Sequence, residues 1–128
     1  MILLLDTSTP ECRLTFVEGD WLYETRWEAN RELAKGLLAF LQSQLEGQGK
    51  NWKDLTGIGV FKGPGSFTGL RIGITVLNTV SYSEAIPIVG ETGEKWRDEA
   101  IRRLLSGESD KVVLPEYGGE ANITQPRK

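Results

Sequence analysis

The sequence predicts a mixed α/β domain, because its apolar residues alternate in the manner of strands up to about residue 30 and then recur at helical spacing. Three short apolar segments come first, separated by turns too short for a crossover, which favours an antiparallel meander. Amphipathic segments of helical period then alternate with further short apolar segments. This arrangement predicts a sheet with helices packed on it.

The strands are bounded by residues typical of turns and strand ends. The first apolar run stops at Asp6, and Glu18-Gly19-Asp20 is typical of a hairpin turn. We predict strands at residues 2–5, 13–17, 21–27, 56–61 and 86–89.

The first helix is predicted from about residue 31 to 46, because four leucines recur there at intervals of four, and Gly47 follows. The second helix begins after Ser66, its expected N-cap, and continues to about residue 84. A third helix is predicted over residues 91–105. This order is that of a single ribonuclease-H-like lobe of the actin and sugar-kinase type, here residues 1–107. Residues 108–128 are expected to form a tail that packs on the lobe or is partly disordered.

Composition excludes several classes of function. The 128 residues carry a net charge of −3 and no histidine, so Ser-His-Asp catalysis, Cys-His catalysis and histidine-based zinc sites cannot be built. No overall basic field draws nucleic acid to the surface. Cys12, the single cysteine, lies at the start of the second predicted strand, directly before residue 13, and is expected to be buried. The N-terminal apolar run is too short for a signal peptide or membrane span, so we expect a cytoplasmic protein. We also expect that it uses no metal or cofactor.

The turn at Asp6 and Thr7 is a candidate vestigial phosphate-binding site, because phosphotransferases of this architecture hold a metal-bound phosphate at such a turn. Local hydrogen bonding at a strand end is the favoured interpretation, since the turn contains no glycine for close approach of a phosphate. A metal- or nucleotide-dependent enzyme using Asp6 remains an alternative. Its second carboxylate would have to come from Glu32.

The segment after residue 62 combines glycines with a surplus of apolar residues. Its spacing fits neither a Walker A loop nor a strict dinucleotide fingerprint. Gly65, Gly69 and Gly73 recur every four residues, which indicates close approach of another backbone to one helix face. Apolar residues occupy more than one face of this helix, so the surplus face is covered by a neighbouring helix of the same fold or by a second protein.

Residues 63–73, GPGSFTGLRIG, resemble the signature of the TsaB family, also called YeaZ. The opening LLDTST of residues 4–9, with Cys12 following, is also similar to that family, and the resemblance covers residues 1 to about 90. Residues 115–128 are similar to the family's C-terminal tail, whereas most of its second lobe is missing between these parts.

The resemblance implies a non-catalytic scaffold or activator subunit in the synthesis of threonylcarbamoyladenosine on tRNA. TsaB-like proteins bind the related transferase TsaD through their two long helices, and the ATPase TsaE joins the assembly. Contact with tRNA is then made only through the complex. TsaB relatives also form homodimers through similar surfaces, so a standalone homodimeric regulator is a further alternative. Peptidase activity, a label given to some relatives, is rejected because it needs a pair of metal-binding histidines.

The expected interface with the transferase uses both helices. The resemblance and the surplus apolar face together predict that seven residues contact the partner: Leu37, Leu41, Gly69, Arg71, Ile72, Gly73 and Val76. Arg71 is expected at the rim. On this view, Gly73→Trp blocks binding and leaves the monomer folded.

Overall fold

The computed structural model describes residues 1–116 and contains the predicted order of elements. The strands are β1 Ile2–Asp6, β2 Glu11–Glu18, β3 Trp21–Glu28, β4 Gly57–Phe61 and β5 Ile88–Glu91. The helices are α1 Leu33–Gly47, α2 Phe67–Glu84 and α3 Trp96–Leu105. Short 3-10 turns at Asn30–Glu32 and Trp52–Asp54 precede α1 and β4.

The five strands form one sheet in the order β3-β2-β1-β4-β5. β1 pairs antiparallel with β2, and β2 with β3, which confirms the predicted meander. β4 lies parallel to both β1 and β5. Between β4 and β5, α2 carries the chain back across the sheet, as a parallel connection requires. β1 is therefore central, and its residues from Ile2 to Leu5 are buried.

The helices cover the two faces of the sheet unequally. α1 and α2 lie together on one face over the larger core, which contains the four leucines of α1 and Leu70, Ile74 and Leu77 of α2. α3 packs on the opposite face against β4 and β5, where Trp96 and Ala100 meet Ile2, Leu4 and Val89. This is the two-sided layering expected of a mixed sheet covered by helices.

The last strand begins later than predicted, because of the way in which α2 ends. Ala85 adopts the left-handed conformation at φ 58° and closes the helix, and the Ile86 amide still donates to the carbonyl of Ser81. β5 consequently begins at Ile88, two residues later than predicted.

The prediction that α3 begins at residue 91 is wrong. Glu91 is the last residue of β5, where it pairs with Phe61 of β4. The chain then turns at Gly93, whose φ of 88° favours glycine, and the helix begins only at Trp96.

The described part of the predicted tail, residues 108–116, lies against the lobe. The Asn78 side chain donates to the carbonyl of Val113 and accepts from its amide, both at 2.9 Å. The Glu116 amide donates to the carbonyl of Lys62 at 2.6 Å. The expectation for residues 117–128 lies outside the described residues. Within residues 1–116, no helix has the length and apolar character needed to cross a membrane.

A candidate protein-binding face on two helices

The outer surfaces of α1 and α2 meet in a shallow groove, which we call the α1–α2 face. It is lined by Ala34 and Leu38 of α1 and by Thr68, Ile72, Thr75, Val76 and Thr79 of α2. Its middle section is an open recess of about 380 Å³. A second recess of about 290 Å³ continues toward Trp52 and Glu84. The face is thus a long, shallow apolar surface and not an enclosed small-molecule pocket.

The exposed surface of α2 carries very little charge. Its exposed residues are Phe67, Thr68, Arg71, Thr75, Thr79, Tyr82 and Ser83, of which Arg71 alone is charged. α3, a helix of only ten residues, contains five charged ones: Arg97, Asp98, Glu99, Arg102 and Arg103. Depletion of charge in the presence of aromatic residues and arginine is typical of the centre of a protein interface.

Three of the predicted interface residues lie on or beside this face. Ile72 and Val76 are half-buried and line the groove directly. Arg71 is exposed at its margin, with its guanidinium carbon 5.5 Å from the centre of the Phe67 ring. Phe67 is itself 54% exposed, so this cation–π pair adds an aromatic and a cationic group to the rim.

The predicted role of Leu37 and Leu41 is wrong. Both side chains are fully buried in the core beneath α1, so neither reaches the surface of the described chain. The residues that α1 contributes to the groove are Ala34 and the half-exposed Leu38. Each of these residues directly follows a leucine of the buried row, so its side chain points about 100° around the helix axis from that row.

The glycine row does not receive a partner helix, so the predicted role of Gly69 and Gly73 is also wrong. A Cβ on Gly69 would lie 2.3 Å from the carbonyl oxygen of Thr7, and one on Gly73 would lie 2.3 Å from Thr7 Oγ1. A Cβ on Gly65 would lie 2.5 Å from that of Ser8. The glycines therefore admit the turn after β1 of the same chain. Gly73→Trp would disrupt the monomer as well as any complex, contrary to the expectation from sequence.

The Asp6–Thr7 turn is engaged in internal hydrogen bonds. Asp6 Oδ1 accepts from the amide of Ser8 at 2.8 Å and from its hydroxyl at 2.6 Å. Thr7 is completely buried, and its hydroxyl donates to the carbonyl of Gly69 at 2.8 Å. These contacts fit the favoured interpretation of a strand-end turn. Within residues 1–116, no three His, Cys, Asp or Glu side chains are grouped to hold a metal ion.

The start of α2 agrees with the sequence prediction. Ser66 Oγ accepts from the amide of Gly69 at 3.2 Å and caps the helix, as expected. The amide of Ser66 donates to the carbonyl of Ser8 at 2.9 Å, which fixes the loop over the β1 turn. The loop thus sets the angle at which α2 crosses the sheet and so positions the α1–α2 face.

Sequence reasoning overlooked Ala34, Leu38 and the threonines of α2 as surface residues of the face. Their signal is present in the sequence: Thr68, Thr75 and Thr79 recur at spacings of seven and four, on the side of α2 opposite to Leu70 and Leu77. A row of uncharged hydroxyl residues on a solvent-facing helix surface is a recognisable departure from the usual charged exterior.

Comparison with known proteins identifies relatives of this fold and sequence. The TsaD family model, described as tRNA N6-adenosine threonylcarbamoyltransferase, matches residues 27–92, just over half of the chain. The tRNA threonylcarbamoyladenosine biosynthesis protein TsaB of Buchnera aphidicola (from Schizaphis graminum) is 32% identical over 124 residues, covering 92% of this chain and 59% of that protein. TsaB of Escherichia coli is 29% identical over 131 residues, covering 94% and 56%.

A solved structure, YeaZ from Pseudomonas aeruginosa, superposes with a TM-score of 0.67 at 25% identity, covering 77% of this chain and 49% of that one. The chain thus spans between half and three-fifths of the length of the TsaB proteins named above. The family match covers α1, β4, α2 and β5, the elements that build the α1–α2 face. From these matches, the chain belongs to the family of TsaD- and TsaB-related proteins, within its TsaB (YeaZ) branch.

Proposed function

We propose that this chain is a non-catalytic subunit in the biosynthesis of threonylcarbamoyladenosine on tRNA, and that it binds a TsaD-like transferase through the α1–α2 face. The observation that carries the proposal is the nearly uncharged exposed surface of α2, since Arg71 is the one charged residue among its exposed positions. The monomer has no need of this surface for its own core, because α2 already buries Leu70, Ile74 and Leu77 against the sheet.

The match to the TsaD family model supports this choice of partner. Because the match includes α1 and α2, a transferase of that family is expected to present two helices of similar build. Two related helix pairs can pack face to face about a pseudo-two-fold axis, so that each buries the apolar groove of the other. Arg71, Phe67 and Tyr82 then supply the aromatic and cationic residues that often dominate binding energy.

A non-catalytic role is supported by the chemistry available to the chain. It has no histidine, and the carboxylate of Asp6 is engaged by the amide and hydroxyl of Ser8. The net charge of −3 favours contact with tRNA through the complex rather than by this chain alone. A TsaE-like ATPase is the further partner of the proposed assembly, which works in the cytoplasm.

Co-purification with the TsaD-like transferase of the same organism tests the proposal. Val76→Glu places a carboxylate in the centre of the groove and is expected to abolish binding, since an unpaired charge would be buried on association. Ala39→Glu adds the same charge to an exposed position of α1 that does not line the groove, and it is expected to bind like the wild type.

Both variants should retain the wild-type circular dichroism spectrum. Undiminished binding by folded Val76→Glu would contradict the proposal. Light scattering of the chain with and without the transferase distinguishes this complex from a homodimer that uses the same face.

A further inference from the structure

The two edges of the sheet differ in whether another segment of the chain covers their outer backbone groups. Outside β5, the amide of Asp110 donates to the carbonyl of Ile88 at 2.7 Å, and the amide of Gly90 donates to the Asp110 carboxylate at 2.9 Å. Residues 109–110 therefore take the place of a sixth strand at that edge. β3 forms the other edge and has no such cover within the described chain.

Apart from the charged side chains of Glu24, Arg26 and Glu28, β3 lacks the features that prevent edge pairing. It has eight residues, contains no proline, and pairs with β2 in continuous register without a bulge. Trp21 and Leu22, at its start, are 43% and 59% exposed. A long, regular and accessible edge of this kind is a template for pairing with another strand.

The hairpin determines which backbone groups face outward. Glu18 pairs with Trp21 across the two-residue turn, so the odd-numbered residues of β3 exchange hydrogen bonds with β2. The amides and carbonyls of the even-numbered residues consequently point away from the sheet. These residues are Leu22, Glu24, Arg26 and Glu28. Their side chains project to the sheet face opposite α1, and those of Glu24 and Arg26 are 55% and 63% exposed.

We propose that β3 pairs antiparallel with β3 of a second copy of this chain, about a two-fold axis through Thr25. In this register the outward-facing residues are matched: Glu24 lies opposite Arg26 of the other copy, and Arg26 opposite its Glu24. Tyr23 lies opposite Trp27 in the closely spaced positions, and Thr25 opposite itself, which are favourable cross-strand pairs.

Charge selects this register over its neighbours. Sliding one copy by two residues in one direction places Glu24 opposite Glu24, and sliding it in the other places Arg26 opposite Arg26. Both arrangements oppose like charges directly, which destabilises a sheet. A shift by one residue places even-numbered residues of one copy opposite odd-numbered residues of the other, whose amides and carbonyls point back toward β2, so the backbone hydrogen bonds cannot form. The alternation of Glu24 and Arg26 about Thr25 is therefore self-complementary in one register.

The resulting dimer has one continuous sheet and leaves both α1–α2 faces uncovered, because β3 contributes no residue to that face. A pair of these chains could then carry two partner proteins. The pairing does not depend on what binds the α1–α2 face, so it stands apart from the proposed function.

Charge-swap variants of the full chain test the pairing by sedimentation velocity over a concentration series. We expect the wild type to dimerise. Glu24→Arg and Arg26→Glu should each raise the dimer dissociation constant by on the order of tenfold, because each single swap turns both cross-copy pairs into like-charge pairs. The double variant E24R/R26E should return it to within about threefold of the wild type.

The single swaps should fold normally, because each breaks only a long, partly exposed ion pair, Glu24 with Arg97 at 4.0 Å or Arg26 with Glu11 at 3.9 Å. Circular dichroism checks this. A wild type that stays monomeric, single swaps that leave dimerisation unchanged, or a double variant that fails to restore it would each overturn the proposal. A dimer broken by Val76→Glu and unaffected by the edge swaps would place self-association on the α1–α2 face and overturn it too.

Discussion

The side chain of Thr7 occupies the space that is open on α2 because Gly73 has no Cβ. A Cβ on Gly73 would lie 2.3 Å from Thr7 Oγ1 and 3.0 Å from its Cγ2, and the same hydroxyl donates to the Gly69 carbonyl at 2.8 Å. The contact joins the end of β1 to the first turns of α2. It therefore fixes the helix on the sheet and, with it, the orientation of the α1–α2 face.

Gly73→Ala should destabilise the chain by about 2 kcal/mol, although alanine is the better helix former, because the added methyl overlaps a fully buried side chain. Equilibrium urea unfolding measures the change. Gly47→Ala, at the end of α1, is the control: nothing lies within 4 Å of its Cβ position, so no loss of stability is expected. Equal stability of Gly73→Ala and the wild type would show that Thr7 does not pack tightly against Gly73.

Arg103 connects α3 to the segment that follows it. Its guanidinium donates to the carboxylates of Glu91 at 2.8 Å and Glu108 at 2.7 Å, and it also pairs with Asp110. Arg103→Gln should lower the free energy of unfolding by about 2 kcal/mol, since it leaves these carboxylates facing one another. Arg102→Gln, which removes an exposed arginine paired with Glu99, should cause no measurable loss in the same urea titration.

The same network predicts a dependence of stability on acid. Burial by itself would raise the pKa of Asp110, but hydrogen bonds from Arg103 and the Gly90 amide lower that pKa below its ordinary value of 3.8. A lowered folded pKa stabilises the protein fully above the ordinary value, and this stabilisation is lost as the pH falls through the folded pKa. Below about pH 4, Arg103→Gln should therefore lose less stability than the wild type. Parallel slopes for both proteins would contradict this account.

Cys12 should be unreactive in the native chain. Burial, with a smaller contribution from the negative charge of Asp6, raises the pKa of its thiol from 9.0 to about 12. Because the folded pKa is raised, the stabilisation by the neutral thiol is complete below 9.0 and is lost as the pH rises toward about 12. A thiol-reactive dye at neutral pH should label Cys12 only after unfolding in guanidinium. Rapid labelling of the native protein would exclude this burial.

The architecture could be predicted from the sequence because its signals are local. The leucine spacing of α1, the Ser66 cap of α2 and the turn at Gly19 each specify an element without reference to distant residues. The boundary between β5 and α3 was not predictable in this way. Glu91 resembles a helix start but joins the sheet because Phe61 of β4 lies beside it, and sequence pattern alone does not reveal such a partner.

The candidate site was less predictable for the same reason. A glycine row indicates that something approaches the helix closely, but it does not say whether that is the chain's own Thr7 or another protein. The leucine row of α1 likewise predicts a buried stripe, and Leu37 and Leu41 lie within the core of the monomer. Ile72 and Val76 line the groove because the core side of α2 is occupied by Leu70 and Leu77, and their contact with a partner stays a prediction.

Labelling a cysteine placed on the α1–α2 face tests its burial by a partner most directly. Thr75→Cys offers a single reactive thiol in the groove, since Cys12 is buried, and it can carry an environment-sensitive dye. On titration with the TsaD-like transferase, the dye should shift to an apolar emission at a stoichiometry of one to one, whereas a dye at Ala39→Cys should not change. If the transferase binds and the emission of the dye at residue 75 stays that of a dye in water, the α1–α2 face is not the binding surface.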